Sequence, residues 1–137
     1  MLKNIIYKLK YIKTYEAVNG ITFQQWLKNN PQDINTTEIQ CDNQYLIDLD
    51  GVQEFKNLKK LWCYGNNLTS LNLKGLDVLK ELSCFNNNLT SLNLEGLNNL
   101  EELYCENNKL PYEDLEGYWE WFAKEYPERW EARKFNF

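Results

Sequence analysis

Two segments of this chain are near copies of one another, and a third copy begins directly after them. Leu58-Lys-Lys-Leu61-Trp-Cys63-Tyr-Gly-Asn66-Asn-Leu68-Thr-Ser-Leu71-Asn-Leu73-Lys-Gly75-Leu76 returns as Leu79-Lys-Glu-Leu82-Ser-Cys84-Phe-Asn-Asn87-Asn-Leu89-Thr-Ser-Leu92-Asn-Leu94-Glu-Gly96-Leu97. Leu100-Glu-Glu-Leu103-Tyr-Cys105-Glu-Asn-Asn108-Lys-Leu110 follows, and the offset is 21 residues each time. A constant period of this size specifies a stack of like supersecondary units. Within each unit the pairs Leu61/Cys63, Leu82/Cys84 and Leu103/Cys105 alternate with polar or aromatic residues, the pattern of a short strand with one buried face. Asn66, Asn87 and Asn108 recur just after the strand. There a buried amide is expected to satisfy backbone groups freed by the turn and to bond its counterpart in the next unit. No unit closes its own core, so neighbours must cover one another.

The pattern L-x-x-L-x-C-x-x-N-x-L resembles the leucine-rich-repeat family, with Cys in the slot where Leu is usual. The resemblance implies an α/β fold, a short solenoid with a small parallel sheet of about four strands and helical caps at both ends. A single domain over 1–137 is expected, divided into an N-terminal cap at 1–36, repeats at 37–110 and a C-terminal helical cap at 111–137. Ile39 and Cys41 open an irregular first coil. Its segment Leu49-Asp-Gly51-Val52-Gln-Glu-Phe55-Lys-Asn-Leu58 resembles the 22-residue internalin-like form of the repeat, with one extra residue and with Gln44 at the Asn position.

The ends lack the repeat. From Met1 to Val18, Leu2, Ile5, Ile6, Leu9 and Ile12 have helical spacing, while Tyr7, Leu9 and Tyr11 alternate with Lys8 and Lys10 as in a strand. Either form is expected to lay its apolar stripe over the end of the core. Charges interrupt every apolar run before it reaches signal-peptide length. Thr22 with Gln25 has the spacing of a capping box ahead of Phe23-Gln-Gln-Trp26-Leu27, which Pro31 ends. Beyond Leu110, Pro111 suits the first turn of a helix, and Leu115, Tyr118, Trp119 and Phe122 form one stripe up to Pro127. Such a tail suits the lid that a short solenoid needs over its last row of leucines and its strand edge.

Charge and residue types narrow the chemistry. A net charge of −5 and a pI near 4.8 argue against a direct nucleic-acid partner. There is no His, and Ser70, Ser83 and Ser91 lie outside any nucleophile or phosphate-loop context. Three of the four Cys share the inward repeat position and Cys41 matches it one coil earlier, which reads as a ladder of small buried hydrophobes. Paired C-x-x-C spacing is lacking, so no metal is expected, and free thiols point to a reducing, cytoplasmic setting. Asp48 and Asp50 near Gly51 lack the regular spacing of a calcium loop. No catalytic residue, cofactor or enzyme activity is expected.

Binding has firmer support. With Leu61 and Cys63 inward, Lys60, Trp62 and Tyr64 project from the concave sheet. Their equivalents are Glu81, Ser83, Phe85 and Glu102, Tyr104, Glu106, and the first coil adds Glu38, Gln40 and Asp42. Aromatic anchors inside a polar rim have the composition of an interaction hot spot. The expected partner-binding residues are Lys60, Trp62, Tyr64, Glu81, Phe85, Glu102, Tyr104 and Glu106. The expected function is recognition of a partner protein through this face. Two alternatives remain open. One is a small acidic inhibitor of the anti-defence type, made by a phage or mobile element, that blocks a basic nucleic-acid-binding surface. The other is a membrane-surface adaptor acting through the basic N-terminal segment, although such a face is more often simply solvated while its apolar stripe covers the core. An exposed aromatic face also fits self-association.

Overall fold

The computed structural model describes residues 1–135, so positions 136–137 of the expected C-terminal cap lie outside the described residues. The chain runs α1 (Leu2–Asn19), α2 (Phe23–Asn29), β1 (Glu38–Gln40), a 3-10 turn (Val52–Glu54), β2 (Lys60–Trp62), β3 (Glu81–Ser83), β4 (Glu102–Tyr104), α3 (Leu115–Glu125) and α4 (Pro127–Lys134). The strands form one four-stranded parallel sheet in the order β1-β2-β3-β4. Register follows the repeat: Ile39 pairs with Leu61, Leu61 with Leu82 and Leu82 with Leu103. All four of these side chains are buried, as are Cys41, Cys63, Cys84 and Cys105 directly after them. The leucines of each coil complete one continuous core along the stack.

The asparagine column joins the coils and satisfies backbone groups at the turns as expected, but not by bonds from amide to amide. Asn87 accepts from the Leu68 N–H at 3.0 Å and donates to the carbonyls of Cys63 and Cys84. Asn66 likewise accepts from Gln44 and Leu46 and donates to Cys41 and Cys63. Asn108 repeats the pattern with Leu89, Cys84 and Cys105. Each amide therefore bridges its own coil to the backbone of the preceding one, rather than to the amide of its counterpart. A backbone partner suits the site better, because buried peptide groups are what the turn leaves unpaired. Gln44 cannot copy this; its amide folds back on the carbonyls of Asp42 and Asn43.

The first coil absorbs its extra residue between Leu49 and Val52. Phe55 donates to Val52 as Leu76 does to Leu73 and Leu97 to Leu94, so the coils are in step from Val52 onward. The surplus residue is taken up where Gly51 adopts a left-handed φ of 98° and starts the 3-10 turn, a conformation that costs glycine little.

The two ends close differently. α2 carries the expected capping box between Thr22 and Gln25, and Asp48 accepts from the Phe23 N–H to tie the helix start to the first coil. Phe23 and Trp26 are buried, with Phe23 edge-on to Phe55. α1 contributes nothing to this plug: it is helical, and none of its residues is buried. The expected covering of the core by the first 18 residues is therefore not made, because α2 has already filled that end. At the other end Pro111 starts no helix. Residues 113–114 instead run antiparallel beside β4, where the Cys105 N–H donates to the Glu113 carbonyl. This pairs the outer strand edge before Asp114 caps α3. Tyr112, Tyr118 and Phe122 are buried on the last coil, and the Tyr112 hydroxyl donates to the Leu92 carbonyl. Among the described residues no helix is long and apolar enough to cross a membrane.

Burial sets the behaviour of the thiols. It pushes Cys41 and Cys105 up to about 12 from the ordinary 9.0, with nearby carboxylates adding to the shift. Cys63 and Cys84 are raised by burial and by their neighbours in the column.

Two outcomes follow for stability. Asn87→Ala leaves the Leu68 N–H and two carbonyls buried without that partner, and should cost about 3–5 kcal/mol in urea unfolding at about 1–3 kcal/mol per orphaned group. Asn108→Ala, at a half-buried position, should cost less; equal small losses would refute the bridging role. The native thiols should resist a thiol reagent at pH 8 until the chain unfolds. Because folding raises their pKa values, the unfolded chain loses thiol protons first. The stability they contribute is complete below about pH 9 and should fall as pH climbs toward 12.

Candidate functional site

Strand alternation sets the outward face as three rows, each crossing all four coils. The first row is Glu38, Lys60, Glu81 and Glu102, and the second is Gln40, Trp62, Ser83 and Tyr104. The third, Asp42, Tyr64, Phe85 and Glu106, lies just past the strands. Backbone bonds from Asn43, Gly65 and Asn86 to the carbonyls of Tyr64, Phe85 and Glu106 extend the ladder there. Together the rows enclose a shallow hollow of about 360 Å³ lined by Gln40, Trp62, Tyr64, Glu81, Ser83, Phe85 and Tyr104. Five of the eight expected residues line it. Lys60, Glu102 and Glu106 belong to the same rows but are absent from its lining.

Ser83 departs from the expectation. It faces the outward side yet is buried, because its short side chain sits in the row between Trp62 and Tyr104. It forms the floor of the hollow and not part of its rim.

The rings are held. Tyr64 and Phe85 stack with centroids 4.4 Å apart and planes within 6°. The Trp62 indole N–H donates to Glu81 Oε1 at 2.6 Å, and Lys60 Nζ lies 3.5 Å from the other Glu81 oxygen and 5.6 Å over the indole. The Tyr104 hydroxyl donates to Glu102 at 2.7 Å. Asp42 takes the corresponding hydrogen bond from Tyr64, and each carboxylate raises the pKa of its phenol. Both phenols therefore stay neutral donors through the physiological range. A surface whose rings are already fixed loses little side-chain entropy when a partner covers them. The indole–carboxylate bond was not legible in advance, since it runs diagonally between rows.

Electrically the hollow has an acidic border. Glu38, Asp42, Glu102 and Glu106 stand around it, and Lys60 is the one cation of its rows, already spent on Glu81. Among the described residues no three His, Cys, Asp or Glu side chains converge so as to hold a metal ion.

A second hollow, of about 310 Å³, lies at the far end among Ser91, Leu92, Tyr112, Trp121, Tyr126 and Arg129. Sequence reasoning missed it. It forms where α4 turns back after Tyr126 and Arg129 pairs with Glu95, an ion pair that no repeat position announces.

A family model described as leucine-rich repeats in two copies matches residues 77–118. No curated protein matches the chain. Among solved structures, the chain is similar to one titled "Functional domain of InlJ from Listeria monocytogenes includes a cysteine ladder", at 36% identity and a TM-score of 0.55. The match covers 59% of this chain and 18% of that one, so only a small part of the larger protein is represented. Register, inward thiols and these likenesses agree: residues 77–118 match leucine-rich repeats, and the chain is similar to a leucine-rich-repeat structure with a cysteine ladder, its own buried cysteines falling directly after the strand of every coil.

Proposed function

We propose that this chain is a non-enzymatic binding module that captures a partner protein on the aromatic face of its sheet. Leucine-rich repeats generally serve protein–protein interaction, which gives the class. The observation that carries the finer reading is the hollow itself: Trp62, Tyr64, Phe85 and Tyr104 converge on it from three coils. Covering one such ring contributes on the order of 1.5–3 kcal/mol. The acidic border selects a partner with basic residues around an apolar contact and speeds the encounter at low salt. If that basic surface is a nucleic-acid channel, the protein acts as an inhibitor, and nucleic acid should then compete with it for the partner.

Trp62→Ala and Phe85→Ala truncate half-exposed side chains, so unfolding free energies should change by about 1 kcal/mol or less. Each should nevertheless weaken a partner captured from native lysate by about 30-fold or more, the cost of losing a hot-spot residue. Retention of the partner by both variants at unchanged affinity, or turnover of a substrate that survives both changes, would remove this reading.

A further inference from the structure

α1 is a second surface in search of a cover. Leu2, Ile5, Ile6 and Leu9 are 76%, 50%, 61% and 54% exposed, and Ile12 is 49% exposed. Most helical stability in proteins comes from packing an apolar face, and α1 buries none of its residues, so it gains by docking. Leu2, Ile5, Leu9 and Ile12 are spaced three, four and three residues apart, which sets them on one stripe. Lys8 flanks that stripe on one side and Lys13 on the other, with Lys3 and Lys10 farther round the helix. Beyond Lys8 lie Tyr11 and Tyr15, which with Ile12 at the stripe's edge border a hollow against Gln25 and Lys28 of α2.

Charge decides among the covers. Four lysines against Glu16 give residues 1–19 a formal charge of +3, leaving −8 on residues 20–137 of a chain whose net is −5. Pairing the stripe with that of another α1 sets lysine against lysine in either orientation. A lipid surface takes a helix with one apolar face and one polar face. Here Tyr7 and Tyr11 interrupt the polar side opposite the stripe, and an anionic lipid would repel the −8 body. A shallow hollow with aromatic walls and an acidic border fits instead. The sheet supplies one, and the lengths agree. Leu2 to Ile12 rises about 15 Å at 1.5 Å per residue, and three strand spacings of about 4.8 Å give about 14 Å.

We infer that α1 of one copy docks across the aromatic sheet face of a second copy, its aliphatic stripe on Trp62, Phe85 and Tyr104 and its Lys8 and Lys13 against the acidic border of Glu38, Glu102 and Glu106. This rests on the reading of the sheet face as a binding surface and names a partner for it. Occupation by a second copy would also screen the face from other partners until they displace it.

Sedimentation velocity on the full chain tests this, up to about 100 µM, where micromolar contacts are populated. The wild type should self-associate, less at 0.5 M than at 0.05 M salt. Leu9→Glu, at a position with no buried side chain, and Trp62→Ala should each raise the dissociation constant at least about tenfold. A 1:1 mixture of the two variants should form a 1:1 complex, because one intact helix then meets one intact face. Glu102→Lys should likewise weaken association, and Lys8→Glu with Lys13→Glu in the other copy should restore it. The inference is overturned by a monomeric wild type, by association that survives Leu9→Glu or Trp62→Ala, by a mixture that stays monomeric, or by α1-dependent binding to phosphatidylserine vesicles with no self-association. A monomeric wild type whose lysate partner is still lost on Trp62→Ala would sink this inference and leave the sheet-face reading standing.

Discussion

The structure depends on buried amides that each satisfy the backbone of two adjacent coils. A strand of three residues cannot hold a coil closed, and the turn after it exposes peptide groups to a leucine interior. Asn66, Asn87 and Asn108 supply one acceptor and two donors to those groups. With the turns fixed, the leucines point inward as a set, the thiols align and the sheet register has no freedom. Hydrophobic burial supplies the driving force, while the amide column sets which arrangement of that burial is reached.

Register then turns a linear repeat into a surface. Because successive coils place equivalent residues one strand apart, the rows Trp62–Ser83–Tyr104 and Tyr64–Phe85–Glu106 follow from counting alone. The same short strands that could not stand alone become a rigid platform once stacked. Carboxylates of neighbouring positions then lock the rings: Glu81 holds Trp62 and Glu102 holds Tyr104. The proposed binding face is thereby built from side chains that the core does not need.

Legibility in the sequence tracked repetition. Leu61, Leu82 and Leu103 each vote for the same phase, so the inward and outward faces of the sheet could be read with no structure. Ser83 shows the limit of that reasoning, since its burial comes from large rings on either side and not from phase. Pro111 shows another: the segment after the last coil was needed to pair an open strand edge, a demand local propensity does not record. α1 was the least legible part. Its Ile, Tyr and Lys residues satisfy helical and alternating patterns alike, and no second copy of the segment exists to break the tie.

The amide bridges all point one way, each coil relying on the asparagine of the next one along. A coil inserted between two existing ones therefore receives a bridge from its successor and gives one to its predecessor, with nothing at either junction left unmet. Such a molecule can lengthen or shorten by whole 21-residue modules through duplication or loss of gene segments. Each added module widens the outward platform by one column, while the two dissimilar ends, fitted to their own coils, stay unchanged.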